Sequence, residues 1–500
     1  MSKLYSWDSL SWRKSQNNLY FLQIRIFKSI LVGDLKRALR IQKLIIYSNS
    51  ARFLAIREVT QVHFNRKISG IDGKTYLTFT ERFELGEILR VNFYDWKFQR
   101  YKKVPFFCED TIFLLNIFTV SDRAWQCLAR FTLEPVHEAT FHPRNFGFRD
   151  CFSVHDIQRV LFFNLKASSY GIQKRVLVVN FFESFSVKNF DSIMEKFLAP
   201  KGMKKGIFFL LKTGLQLAFL SNNLSWVNIL GSLFLNIILN GIESIHSCVR
   251  FGSRMICRKD FSLRIIFNIF DKEIEITDRL VYKATFEVIQ IDGLGTDFLF
   301  SSSFFLKPKD DEKQIFKKVI FFLKKVGLKF NRVSFLLTSS VKGFDFLGWN
   351  FKIQKESKLY CVPNFTNYQN FQNKVKFVIN NSNFGSKAKA IKLYPIVYNW
   401  RIYHKFSNLH TNSKYSLFFL QQRAFKTFNK ERKQNRFSTK RLLNKAFPNV
   451  SLSKRNITLK MLHSPYFGHL MYCKILRDKV FLYCIFCGIL RLEYTKNLID

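Results

Sequence analysis

The chain has 500 residues, and at roughly 150 residues per domain that length predicts about three domains. Lys and Arg number 80 against 36 Asp and Glu, a net charge of +44; a compact monomer with that surplus repels itself, so the expected partner is a polyanion, either nucleic acid or an anionic membrane face. With 47% hydrophobic residues the chain can build large cores, which excludes a disordered basic tail.

The opening MSKLYSWDSLSWRKSQ has neither an apolar signal stretch nor an acid-free Arg/Ser-rich leader, which predicts synthesis at the site of action or in the cytosol. Residues 19–60 read as two helices. Leu22, Ile26 and Ile30 keep helical spacing, Gly33-Asp34 interrupts it, and Leu35, Leu39, Gln42 and Ile46 resume it. The outer faces would carry Arg25, Lys28, Lys36, Arg37, Arg40, Lys43, Arg52 and Arg57. Almost no acids intervene to make intrahelical pairs, so a phosphate-tracking stripe is favoured over a merely solvated face.

From about 60 to 355, apolar runs alternate with helical patterns, which suggests an α+β region. Arg175–Phe182 and Leu280–Ile289 are rich in β-branched and aromatic residues and read as buried strands. Thr213 to Ile242 has no charge, but Asn222, Asn223, Ser225, Asn228, Ser232, Asn236 and Asn240 interrupt it, so a helix buried in the protein is expected rather than a membrane span. Asp310-Asp311-Glu312 precedes the periodic run Ile315–Val326, which ends at Gly327. This is a helix with an acidic first turn and a glycine stop.

Over 401–460, Lys and Arg outnumber acids 15 to 1, the acid being Glu431. Tyr403, Phe406, Phe418, Phe419, Phe425, Phe428 and Phe437 are interleaved with them. Charge for phosphates and aromatic faces for stacking suit a helical RNA-binding module, although most of these rings can equally be core. The nine cysteines are scattered, with one CxxC at Cys484 and Cys487. That pattern implies a reducing compartment and, lacking a second knuckle, makes buried thiols a better expectation than zinc.

Several blocks, taken in order, resemble the proteins encoded by group II introns, in which a reverse transcriptase is fused to a maturase domain. Trp7-Asp-Ser-Leu-Ser-Trp12, Leu22-Gln-Ile-Arg-Ile26 and Ser69-Gly-Ile-Asp-Gly73 are similar to that family's opening. Thr119-Val-Ser-Asp-Arg123, Leu133-Glu-Pro135, Asn145-Phe-Gly-Phe-Arg149 and His155-Asp156 resemble its fingers. Gly343-Phe-Asp-Phe-Leu-Gly348 matches the turn between palm and thumb, and Pro395-Ile-Val-Tyr-Asn-Trp400 with Tyr403 resembles the maturase domain.

The resemblance implies an α+β, right-hand polymerase-like fold, with fingers and a palm built on an antiparallel sheet, followed by an α-helical thumb or maturase (X) domain. It divides the chain into a basic helical extension (1–60), degenerate fingers and palm (61–355), thumb and domain X (356–450) and a short remnant (451–500) without a complete nuclease. The family's polymerases hold two Mg²⁺ ions on three aspartates, because Mg²⁺ takes hard anionic oxygen ligands. Here Asn180 takes one such place, in Val178-Val-Asn180, and Ala284 and Thr285 take the other two, after Tyr282-Lys. The family's triphosphate cations are replaced too, by Phe106 and in Phe113–Phe118, and its P-Q-G-G loop reads Ser225-Trp-Val-Asn228.

Taken with these departures, the resemblance implies a non-catalytic splicing cofactor that binds group II intron RNA and needs no cofactor of its own. Its RNA-binding residues would be Arg25, Lys28, Arg37, Arg40, Lys43, Arg52, Arg57, Arg401, Lys405, Arg423, Lys426, Lys430, Arg432, Lys433 and Arg436. The family's pattern leaves room for other splicing factors and for a dimer. Phe at 59 residues against 9 Pro, with abundant Lys, Asn and Ile, fits an AT-rich organellar gene, which puts the plastid stroma first and the mitochondrion second. Two other readings stay open at this point: an active reverse transcriptase, and a basic membrane-associated or structural protein.

Overall fold

The computed structural model describes residues 7–62, 69–108, 111–141, 157–158, 161, 165, 175–187, 189–212, 229–242, 249–251, 254–256, 281–284, 300–306, 312–354, 359–409, 415–432 and 435–448. Within them the fold mixes helices with small antiparallel sheets, as the α+β expectation has it.

The N-terminal region is helical: α1 (Trp12–Val32), α2 (Leu35–Tyr47), α3 (Asn49–Arg57) with a π turn over Glu58–Val62, α4 (Phe79–Asn92) and α5 (Val120–Glu138). The expectation of two helices over 19–60 is therefore corrected to three. Ser48 leaves helical geometry at ψ 126, a break hidden by apolar spacing that runs on through it. Trp7 is fully buried and its ring meets Trp12, Phe53 and Phe83 at 5.2, 5.7 and 5.4 Å, which pins the short turn at Trp7–Ser9 to α1, α3 and α4.

Helix α5 is the axis of this region and is buried along most of its length. Pro135 lies inside it and has no N–H to offer the carbonyl four residues back, that of Phe131. Gln23 of α1 fills the gap, its Nε2 donating to Phe131 O at 3.0 Å. Gln42 of α2 donates to Thr132 O and Leu198 O, both at 3.1 Å. Two glutamines on an otherwise apolar face thus fix how α1 and α2 dock. At the other end of α5, Thr119 accepts from Asp122 N, and Asp122 accepts from Trp96 Nε1 at 2.9 Å and Gln99 N at 3.3 Å. A Cβ on Gly70 would stand 2.8 Å from Thr119 Cα, so the Ser69–Gly73 and Thr119–Arg123 blocks meet.

Strands β1 (Lys102–Cys108) and β2 (Thr111–Ile117) form an antiparallel ribbon. The larger sheet comprises β3 (Arg175–Val187), β6 (Val281–Ala284), β7 (Phe300–Leu306) and β8 (Leu328–Ser339), in the order β6-β7-β3-β8 and antiparallel throughout. Val176, Leu177 and Val178 are all buried; consecutive burial means both faces of β3 are covered. Strands β4 (Val249–Phe251) and β5 (Arg254–Ile256) form a small separate pair. The expected strand at 280–289 is described only as β6.

Four more helices belong to this part of the chain, α6 (Phe190–Glu195), α7 (Lys201–Lys212), α8 (Gly231–Leu239) and α9 (Glu312–Val326); α9 lies against β8 and α6, α7 against α6, and α8 against α5. Leu233 to Leu239 of α8 are all buried, so the uncharged segment does form a core helix from 231 onward; 213–228 lie outside the described residues. Lys196 closes its C-terminus, donating to Ile238 O at 2.5 Å and Asn240 O at 3.0 Å where the helix dipole favours a cation. Gly327 ends α9 with φ +82. No helix among the described residues is long and apolar enough to cross a membrane.

A three-stranded sheet, β9 (Phe344–Phe346), β10 (Trp349–Ile353) and β11 (Leu359–Pro363), leads into a bundle of α10 (Phe365–Asn380), α11 (Ser386–Tyr403), α12 (Phe418–Arg432) and α13 (Arg436–Ala446). The bundle has its own core, with Phe371 and Trp400 stacked at 4.4 Å and Val375, Val397, Ala424 and Phe428 around them. Tyr403 belongs instead to the larger core that holds Phe344, Trp349 and Phe351, stacked on Trp349 at 4.6 Å and donating to Leu347 O at 2.6 Å. Leu347 and Gly348 both have positive φ, 54 and 72, and Asn367 donates to Gly348 O at 3.2 Å. The Gly343–Gly348 turn is thereby clamped from α10 and α11.

Candidate nucleic-acid interface

Helices α1 and α2 form a hairpin. Gly33 takes the left-handed conformation that ends α1 (φ 85), with its N–H and that of Asp34 returning to Ile30 O and Ser29 O. Asp34 then caps α2, accepting from Arg37 N at 2.9 Å. Leu19, Ile26, Phe27 and Ile30 of α1 face the core, as do Ala38, Ile41, Ile45 and Ile46 of α2.

What remains outside is basic. Arg25 and Lys28 on α1, and Lys36, Arg37, Arg40 and Lys43 on α2, are all exposed, and neither helix contains an acid. Lys36 and Arg37 stand in the first turn of α2, where the dipole disfavours each cation by about 0.3–1 kcal/mol. Asp34, the N-cap, is the carboxylate that adjoins them in sequence. Charge placed against its own helix is a surface that an external anion would neutralise. Arg13 and Lys14, exposed at the start of α1, extend the same face and were missed by reading periodicity only from residue 19.

Arg52 is a correction to the stripe. Its side chain is 0% exposed, bonded to Asn49 and 3.6 Å from Glu87, and burial lowers its pKa against the opposing pull of Glu87. The turn at Ser48 rotates α3 relative to α2, so the spacing that put Arg52 outside carries it inside. Arg57 is half-buried, its guanidinium 4.4 Å over the Trp12 ring.

In the C-terminal bundle, Arg423, Lys426 and Lys430 are exposed at three- and four-residue steps along α12, beside Phe419, which is 73% exposed. On α13, Arg436, Lys440, Arg441 and Lys445 are exposed around Phe437, 77% exposed. Arg423 also donates to Asn380 Oδ1 at 3.0 Å. Arg401 is a second correction: it is half-buried and donates to Pro448 O at 2.7 Å, and burial lowers its pKa. It ties α11 to the chain after α13. Lys405 is half-buried, 4.9 Å over the Phe406 ring. The aromatics divide as well: Tyr403 and Phe428 are core, whereas Phe418, Phe419 and Phe437 are exposed. The side chain of Arg432, and Lys433 altogether, lie outside the described residues.

The larger sheet brings Ala284 and Asn180, two of the three residues expected at the family's metal-aspartate positions, into one row. Ala284 of β6 pairs with Ser301 of β7, Ser301 with Asn180 of β3, and Asn180 with Ser334 of β8. The row Ala284–Ser301–Asn180–Ser334 contains no carboxylate. Across all four strands the one acid is Glu183, which falls at the register irregularity between Phe182 and Phe185. Among the described residues, no three His, Cys, Asp or Glu are grouped to hold a metal. Thr285, Cys484 and Cys487 lie outside the described residues.

The family profile described as the N-terminal domain of reverse transcriptase matches residues 7–89, which span α1 to α3 and most of α4. Over 493 residues the chain is 42% identical to "Maturase-like protein 1" of Euglena gracilis, covering 96% of this chain and 97% of that one. It is 38% identical over 497 residues to "Maturase-like protein 1" of Euglena longa, covering 97% and 98%.

Proposed function

From the premise that the chain belongs to the maturase-like proteins related to reverse transcriptases, we propose that it binds a group II intron RNA and stabilises the folded intron for splicing, without polymerase activity. The observation that carries this reading is the α1–α2 hairpin, whose exposed face holds Arg25, Lys28, Lys36, Arg37, Arg40 and Lys43 with no acid in either helix. A surface of that kind follows phosphates. The RNA itself would perform the transesterifications; the protein would neutralise and brace it.

The reading assigns residues 61–355 to degenerate fingers and palm and 356–450 to a thumb-like domain X, which the separate core of α10–α13 supports. The row Ala284–Ser301–Asn180–Ser334 supports loss of polymerisation, since an amide, a methyl and hydroxyls cannot hold two Mg²⁺ ions. An organellar site of action, the plastid stroma first, agrees with the composition and with the Euglena relatives.

Filter binding and in vitro splicing of a group II intron transcript from the source organelle test this. Reversing Arg423, Lys426 and Lys430 to Glu should weaken binding and flatten its salt dependence by about two to three phosphate contacts, and Asn180→Ala should change neither binding nor splicing. Robust dTMP incorporation on poly(rA)/oligo(dT) with Mg²⁺ or Mn²⁺ would overturn the non-catalytic part.

A further inference from the structure

The charge at the two ends of the chain does not exhaust its basic surfaces. Helix α9 lies against β8 and α6 through Ile315, Val319, Phe322, Leu323 and Val326, all buried. Its opposite face exposes Lys313, Lys317, Lys318, Lys324 and Lys325. In their midst stands Phe321, 65% exposed. At 3.6 residues per turn, Lys317, Phe321 and Lys324 follow one another along one line, and Gln314, Lys318 and Lys325 form the next. Apart from Glu312 at its start, the helix has no acid.

Singly exposed phenylalanines are ordinary, and Phe316 of the same helix is another, 38% exposed. One ringed by lysines on a helix nearly free of acids offers an aromatic face for a base and point charges for the phosphates on either side of it. Lysines rather than arginines supply attraction without the bidentate geometry that reads a particular group. A membrane would require an apolar face, and the apolar face of α9 is already buried against the sheet. We infer that α9 is a third RNA contact, at which Phe321 stacks an unpaired base and Lys317, Lys318, Lys324 and Lys325 hold the flanking phosphates, largely without regard to sequence. This rests on the RNA-binding reading above and adds to it a preference for single-stranded or looped RNA at one place.

The full-length chain is titrated with a 5′-labelled 12-mer of uridine and with a 12-base-pair RNA duplex. Phe321→Ala should weaken the single strand roughly tenfold and leave the duplex within about twofold, and Phe321→Tyr should restore binding. Lys317→Glu with Lys324→Glu should weaken the single strand and lower its salt slope by about 1.4. All the altered side chains are exposed, so an unchanged melting temperature is expected to accompany each result. If these variants bind both RNAs like wild type while the α12 reversals still lose affinity, the α9 contact is overturned and the wider reading stands. If wild type binds neither short RNA but still binds the intron transcript, the α9 contact is overturned and the wider reading stands; if it binds none of the three, both fall. If the double reversal loses only phosphatidylglycerol vesicles, α9 is a lipid-facing surface and the inference is overturned.

Discussion

Arg40 and Arg52 stand twelve positions apart on neighbouring helices, yet one faces water and the other is 0% exposed. Their substitutions should therefore separate. Arg52→Ala removes packed methylenes and the bond to Asn49, and should lower stability by about 1–3 kcal/mol with little change in RNA affinity. Arg40→Ala with Lys43→Ala should do the reverse, leaving the melting temperature unchanged and weakening RNA binding in filter assays. His137 gives a pH signature at the same scale. Burial, aided by nearby Lys204, pushes its pKa down to about 3, so the folded state keeps it neutral. An unfolded histidine protonates near 6.5. The unfolded chain thus binds the extra proton below that pH, and stability should fall as pH drops from about 6.5 towards 3. Melting temperatures measured from pH 7.5 to 4.5 should decline more steeply for wild type than for His137→Gln.

At the scale of elements, the joint between α1 and α5 depends on one side chain serving the carbonyl that Pro135 leaves without its helical partner. Gln23→Leu should cost about 1–3 kcal/mol, the penalty of a buried acceptor without its bond, read as a lower urea midpoint. Much of this level was legible in the sequence. The break at Gly33-Asp34, the helix from Glu312 to Gly327, the strand beginning at Arg175 and the buried helix near 231–239 all follow from local chemistry: a left-handed glycine, a periodic apolar face, a β-branched run. The turn at Ser48 was not legible, because apolar spacing continues through it, and Arg52 was misplaced as a result. Nor was the bond from Gln23 to Phe131 O, the carbonyl that Pro135 leaves without its helical partner, because donor and acceptor lie 108 residues apart in sequence and show no local pattern. Arg401 was misread for a similar reason, its acceptor being a carbonyl 47 residues on. The α9 surface is not legible either, because its lysines belong to an amphipathic pattern that equally describes any helix lying on a sheet.

For the molecule as a whole, the +44 surplus acts as a self-repulsion that counterions or a bound polyanion would relieve. The free protein should melt higher at 300 mM than at 50 mM KCl. An intron transcript should raise the melting temperature strongly at 50 mM and barely at 500 mM, because counterion release vanishes with added salt. A rise independent of salt would mean that shape-specific contacts dominate over charge.

The row Ala284–Ser301–Asn180–Ser334 has one more consequence. Three carboxylates gathered at the centre of a sheet would repel one another whenever their metal left, and such a sheet is steadiest when loaded. A row of uncharged side chains carries no such penalty, so its stability is uncoupled from the supply of divalent ions. Chelation with EDTA should leave the melting temperature of the free protein where it was, and any Mg²⁺ requirement for splicing should trace to the RNA.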